Sequence, residues 1–353
     1  MAKSINVVAV QSRIVGCRSR DDIRINLKHI EESIDFAVLG GSLEGPVRLV
    51  AFPEAALQGF YDEMTDMDPV EYCEKIAITI PGEETEILGE KAKQYGIYLI
   101  VCAKAIEPDL IKDRFFNTAF IISPEGKVVH RHRKTRVFTI EHSTTPYDIW
   151  DRWVEKMGDG IEALYPVTET ELGRIGTIIC YESRFPETAR ALAVNGAEII
   201  YKTSLSGMHT FRDYFEVQNR ARAIDNCCFI IAPNIGPYYR DPDAAMPTSP
   251  IGGGQSMIVD YLGRVLGRAP TTDSAQVISP INLEEMRQYR LESCFSLIPH
   301  LIEPWSKIYE KAIWPKNLYL GKQPEGHQKT MEHYRSVVKQ VAEKGIFTPL
   351  KDT

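Results

Sequence analysis

Cys180 has the setting of a nucleophile. It ends the apolar, strand-like run Arg174-Ile-Gly-Thr-Ile-Ile-Cys180 and precedes Tyr181-Glu-Ser-Arg-Phe-Pro186-Glu187. Pro186 suits a first helical turn, where its missing N–H would have had no partner. The pattern predicts a helix over 186–195, stopped by Gly196. A thiol at a sharp turn before a helix N-terminus faces positive partial charge and free backbone N–H groups, so the sequence predicts a thiol biased toward thiolate. The other cysteines lack that context. Cys102 and the Cys227-Cys228 pair belong to apolar runs, and Cys17, Cys73 and Cys294 have no strand-turn-helix signal.

Two further side chains share the position at a strand's carboxyl end. Val47-Arg-Leu-Val-Ala-Phe52 reads as a buried strand that Pro53 ends, leaving Glu54 just beyond it. Lys127-Val-Val-His-Arg-His-Arg-Lys134 reads as a strand that delivers Lys134 to its end. Ligands gather at such ends in open α/β sheets. The residue types fit one chemistry. A thiol with an ordinary pKa of about 8.5 is mostly protonated at neutral pH and needs a base. Glu54 could take that proton and later return one to a departing amine. Lys134 could separate the two negative groups and, with the Tyr181 N–H, hold the oxyanion formed when sulfur attacks an amide carbonyl. Such a site needs no histidine, metal or nucleotide.

In this order, Phe52-Pro53-Glu54, Arg133-Lys134 and Ile179 through Glu187 resemble the nitrilase (carbon–nitrogen hydrolase) superfamily. Gln218-Asn-Arg-Ala-Arg-Ala-Ile-Asp-Asn226 resembles that family's helix leading into a late strand. The resemblance spans about 5–283. It implies a four-layer α-β-β-α sandwich of two mixed sheets with an extended C-terminal tail. It also implies a thiol amidohydrolase that cleaves a non-peptide C–N bond through an acyl-cysteine intermediate. Glu141 matches the family's second acidic residue, which would orient Lys134 or the hydrolytic water. Tyr181, Arg184 and Ser204 are assigned to substrate or oxyanion contacts; Arg184 could equally pair with Glu182 or Glu187. Nitrilases commonly carry Trp after the cysteine where this chain has Tyr181, so amide-type substrates are favoured over nitriles, with carbamoyl compounds as a variant. In the longer aliphatic amidases the tail wraps a neighbouring subunit, which implies a homo-oligomer built from dimers. A papain-like Cys–His hydrolase using His142 or His209 lacks its Cys-Trp context here, and a non-catalytic scaffold would not need the Glu54, Lys134 and Cys180 set.

Composition sets outer bounds. The 353 residues carry 44% hydrophobic and 25% charged side chains, as in a soluble globular protein. Lys and Arg number 41 against 48 Asp and Glu, a net −7 that argues against binding nucleic acid or an anionic membrane. Seven scattered cysteines point to a reducing, cytoplasmic setting rather than a disulfide framework. There is no secretory or membrane-spanning run. The eight histidines show no ligand spacing, so neither metal nor other cofactor is expected.

The elements that must position these groups alternate between strand and helix. Strands are expected at 5–10, 47–52, 97–105, 117–123, 127–133, 174–179, 198–202, 228–233, 256–260 and 276–280. Helices are expected at 21–37, 83–95, 186–195 and 211–226. Pro124-Glu125-Gly126 predicts a hairpin, and Gly252 to Gly254 an irregular loop. This organises as one hydrolase domain over 1–289 and an extension over 290–353, whose Trp305, Tyr309, Trp314 and Tyr319 suit an oligomer interface. The stretch 142–165, with Tyr147, Trp150, Trp153 and Met157, reads as either a lid or a surface excursion packing its own aromatics.

Overall fold

The computed structural model describes residues 4–41, 43, 45–207, 213–248, 252–298 and 301. Their main strands fall into two sheets of six. The chain first lays down β1 (Ile5–Gln11), β2 (Val47–Ala51), β3 (Tyr98–Ile106), β4 (Phe115–Ile122) and β5 (Val128–Arg133). It then builds the second sheet from β6 (Val167–Thr170), β7 (Gly173–Ile179), β8 (Ile199–Thr203), β9 (Phe229–Ala232), β10 (Met257–Val259) and β11 (Val265–Arg268). Finally β12 (Ala275–Ile281) crosses back and pairs antiparallel with β1, from Ile5↔Ile281 to Gln11↔Ala275. The orders are β12-β1-β2-β3-β4-β5 and β11-β10-β9-β8-β7-β6. Both sheets are mixed. The centres β1-β2-β3 and β7-β8-β9 are parallel, and the flanks are antiparallel.

Strand alternation explains the layers. Val7, Ala9, Leu49, Ala51, Ile100 and Cys102 face Ile175, Ile179, Ile199 and Tyr201 of the other sheet. The intervening residues of the first sheet, such as Val8, Val50 and Leu99, pack under α1 (Ile23–Gly41) and α2 (Glu83–Tyr95). Those of the second sheet, such as Ile178, Ile200 and Ile230, pack under α3 (Pro186–Val194) and α4 (Tyr214–Asn226). Central strands covered on both faces must be apolar at nearly every position, which is why they read as continuous runs. In α1, Ile23, Leu27, Ile30, Ile34 and Ala37 are the buried stripe, at helical spacing. The result is the expected α-β-β-α sandwich.

The expected strands and the hairpin after β4 are present, with boundaries shifted by a residue or two. Residues 211 and 212 of the expected helix at 211–226 lie outside the described residues, and α4 begins at Tyr214. Short helices at Tyr61–Thr65, Pro69–Lys75 and Trp150–Met157, and a longer one at Leu283–Glu292, are additions. The excursion at 142–165 packs onto the rest of the domain through a small core, in which Trp153 and Ile149 meet Leu110, Ile111 and Phe116. The aromatics at 305–319, and most of the extension, lie outside the described residues. None of the described helices is long and apolar enough to cross a membrane.

Candidate active site

The three strand-end groups meet. Glu54 follows β2, Lys134 follows β5 and Cys180 follows β7, and all three chains leave their sheets at the same end. Glu54 and Lys134 are buried, and Cys180 keeps a little exposed surface. Two of these exits are strained. Cys180 has φ 48° and Ala55, next to Glu54, φ 47°, both in the left-handed region that costs a non-glycine residue about 1–3 kcal/mol. Such conformations persist where the surroundings over-determine them, and here each turns a side chain off a strand end toward the others.

Lys134 is the hub. Its Nζ donates to Glu54 Oε1 at 2.7 Å and to Glu141 Oε1 at 2.5 Å. An ammonium has three donors, so one remains for an oxygen brought by a substrate. Burial works against its charge, but Glu141 and Glu54 outweigh burial and hold Lys134 well above the usual lysine range. Glu54 Oε1 also accepts from Asn117 Nδ2 at 3.0 Å, and Oε2 from the Leu205 N–H at 2.9 Å. Burial pushes the Glu54 carboxyl up, while the Lys134 charge and the hydrogen bonds from Lys134 and Leu205 pull harder, so it stays below the usual carboxylate range. Glu141 accepts from the Phe138 N–H at 3.1 Å, so the short turn after Lys134 brings it back onto the ammonium.

The thiol itself departs from expectation. Burial, then the Glu54 charge, push Cys180 up to about 12, and Lys134 only partly offsets them. A 3-10 segment, Cys180–Arg184, separates the sulfur from α3. A helix terminus acts over about one turn, too little to counter that burial. The resting group is a thiol, not the thiolate that the strand-turn-helix pattern suggested. It donates to the Leu205 carbonyl at 3.7 Å, and the Glu54 carboxylate is near enough for its charge to bear on the thiol. A base beside it is therefore required for it to act as a nucleophile.

The remaining assigned residues surround this centre. Tyr181 packs edge-on against Phe138 and Phe185, at 5.6 and 5.5 Å between ring centroids. Its backbone N–H belongs to the first turn of the 3-10 segment, where amides lack an internal acceptor. Arg184 lies over the Tyr181 and Tyr214 rings, at 5.3 and 5.1 Å, and pairs with neither Glu182 nor Glu187. Ser204 is buried, and its hydroxyl has no partner among the described residues. His142 pairs with Asp66 at 3.2 Å rather than with Cys180, and His209 lies outside the described residues. No group of three or more His, Cys, Asp or Glu among the described residues could hold a metal.

Three participants escaped sequence reasoning. Asn117 joins Glu54 to β4, and its carbonyl also accepts from the Lys134 N–H at 2.9 Å. Its signal was an amide inside the largely apolar run of β4. Lys202, in buried β8, sits over the Phe215 ring at 3.7 Å and is lowered to about 7, first by burial. Glu182, beside the nucleophile candidate, is fully buried.

Two mixed sheets between two helical layers, with a thiol, a carboxylate and an ammonium at adjoining strand ends, describe a class of hydrolases that act on carbon–nitrogen bonds other than peptide bonds. Known proteins agree. The chain belongs to the carbon–nitrogen hydrolase family, whose profile matches residues 9–291. It is 30% identical to a probable hydrolase, nit2, of Schizosaccharomyces pombe over 258 residues, 72% of this chain and 84% of that one. It is 30% identical to the omega-amidase NIT2-B of Xenopus laevis over 220 residues, 62% of this chain and 72% of the other. The crystal structure of Saccharomyces cerevisiae Nit3, a member of branch 10 of the nitrilase superfamily, superposes with a TM-score of 0.63 at 22% identity, covering 83% of this chain and 95% of that one. That likeness speaks for the fold.

Proposed function

We propose that this enzyme hydrolyses the C–N bond of a small amide through an acyl-cysteine intermediate, with Cys180 as nucleophile, Glu54 as general base and acid, and Lys134 as oxyanion donor. One observation carries the reading: a largely buried thiol lies near a buried carboxylate that a buried ammonium holds at 2.7 Å. As sulfur attacks the carbonyl carbon, the thiol proton passes to Glu54 and the carbonyl electrons move onto oxygen. Lys134, through its third donor, and the Tyr181 N–H receive that oxyanion. Protonated Glu54 then gives its proton to the nitrogen, the C–N bond breaks and ammonia or an amine leaves. Water attacks the thioester, Glu54 takes a proton from it, and the same proton returns to sulfur. Glu141 keeps Lys134 charged and oriented throughout. Ser204 and Arg184 face substrate atoms rather than the reacting bond.

Amides are preferred to nitriles, because Tyr181 stands where nitrilases commonly carry Trp and because relatives such as the omega-amidase of Xenopus laevis bear amidase names. Ammonia release from matched amide and nitrile pairs with the same acyl group tests this: kcat/KM favours the amide, and a consistent preference for the nitrile would reverse the assignment. The reading extends to a cytoplasmic enzyme, supported by seven unpaired cysteines. It also extends to a homo-oligomer built from dimers, supported by the aromatic residues of the extension. Light scattering that gave a 39.9 kDa monomer at micromolar concentration would refute the oligomer.

A further inference from the structure

The reaction above gives no part to one buried carboxylate in the same region. Glu182 is fully buried, and both of its oxygens are filled. Oε1 accepts from the Thr135 N–H at 2.7 Å and from Thr135 Oγ1 at 2.6 Å. Oε2 accepts from the Ile179 N–H at 2.8 Å and meets His132 Nε2 at 2.9 Å. With its acceptor sites taken by four donors, Glu182 has no lone pair free to act as a base on substrate or water.

The origin of those donors gives the residue its meaning. His132 belongs to β5 of the first sheet, and Thr135 directly follows Lys134. Ile179 ends β7 of the second sheet and directly precedes Cys180. One carboxylate therefore joins the backbone beside the ammonium to the backbone beside the thiol. The reacting groups themselves have no such direct tie. Lys134 Nζ bonds to Glu54 and Glu141, and the Cys180 thiol to the Leu205 carbonyl. No hydrogen bond joins Lys134 to Cys180 among the described residues. The distance between the attacking sulfur and the donor that must catch the oxyanion is set by the backbone, across the seam between two sheets.

We infer that Glu182 is a positioning residue, a clamp that holds the Lys134 ammonium in register with the oxygen that develops at Cys180. A buried carboxylate is a costly way to fill space, and its desolvation is offset only when every lone pair is engaged, as here. An apolar side chain would fill the volume but leave the Thr135 and Ile179 N–H groups unpaired and the two sheet ends free to drift. A displacement of about 1 Å at a reacting centre costs on the order of 100-fold in rate. The inference rests on the roles proposed above for Lys134 and Cys180.

The test is a double-mutant cycle on the full-length enzyme. Glu182→Gln keeps the shape but turns an NH2 toward two of the donors. Its kcat falls about 100-fold while KM stays within about threefold, in protein that melts cooperatively. Because Glu182 acts through Lys134, Glu182→Gln adds little once Lys134→Ala is present; a residue that only supports the fold would multiply the two losses. Thr135→Val, which removes one of the four bonds and no charge, is the variant to read if Glu182→Gln fails to fold, with a kcat loss of about 10-fold. Wild-type kcat in the folded variants, or fully multiplicative losses, would overturn the clamp. Wild-type kcat in Lys134→Ala would instead overturn the catalytic reading on which the clamp rests.

Discussion

Glu54→Gln isolates proton transfer from everything else Glu54 does. Burial and the Glu54 charge push the Cys180 thiol up to about 12, so at pH 7 it is almost wholly protonated. The Gln amide oxygen can still accept from Lys134 and Asn117, whose donors lie 2.7 and 3.0 Å from Oε1. The fold should therefore lose only about 1–3 kcal/mol, mostly at the Leu205 N–H. What Gln cannot do is take the thiol proton. The loss in kcat is accordingly about 10²–10⁴-fold. Removing the Glu54 charge also removes the second largest influence raising the thiol, which returns a little thiolate and keeps the loss from being larger. The residual rate then depends on thiolate formed by solvent, so it rises about tenfold per pH unit between pH 6 and 9, still below the thiol pKa. Steady-state kinetics across that range, with melting curves at each pH, measure it. A variant within tenfold of wild type, or a residual rate flat with pH, would refute Glu54 as the base.

Other consequences follow from burial and charge. Iodoacetamide at pH 7 labels exposed Cys294 before Cys180, because the resting Cys180 is a largely buried thiol; peptide mapping with Cys180 labelled first would contradict that resting state. Burial depresses Lys202 to about 7, outweighing the pull of Glu54, and Arg222 and Arg184 nearby also disfavour its charge. The unfolded chain binds the extra proton between about pH 7 and 10.5, so wild-type stability rises with pH across that window. Lys202→Met therefore stabilises by about 2 kcal/mol more at pH 7 than at pH 9, measured by denaturant unfolding, and an equal effect at both would mean that Lys202 keeps its charge across that range and is not depressed. Trp153→Ala empties the small core of the 142–165 excursion and costs about 3–5 kcal/mol; an unchanged melting temperature would mean that this excursion does not fold with the domain.

Much of this was legible from local pattern. Continuous apolar runs gave the central strands because both of their faces are covered, and Pro53 and Pro186 marked turns that local sterics dictate. The position of Glu54, Lys134 and Cys180 at strand ends is likewise a local property, and parallel packing then brings the ends together. What stayed hidden depends on contacts between distant segments. Asn117 serves Glu54 from another strand, and Glu182 reads as a surface acid beside Arg184 until β5 is seen against it. The thiol's state is hidden for the same reason: the turn advertises helix N–H groups, whereas burial and Glu54, which no local window contains, push the thiol up. The short helices at Tyr61–Thr65 and Pro69–Lys75 are too brief to show a period of their own.

Catalysis through Cys180 requires a covalent bond to one sulfur. Intact-protein mass spectrometry, with rapid acid quench after mixing with a panel of small amides, reads it directly. The expected result is a mass increase equal to the acyl group, mapped by peptide digestion to Cys180, absent in Cys180→Ala, and lost as free acid and ammonia appear. Turnover of the same amides by Cys180→Ala at the wild-type rate, or an acyl group mapped to another residue, would contradict it.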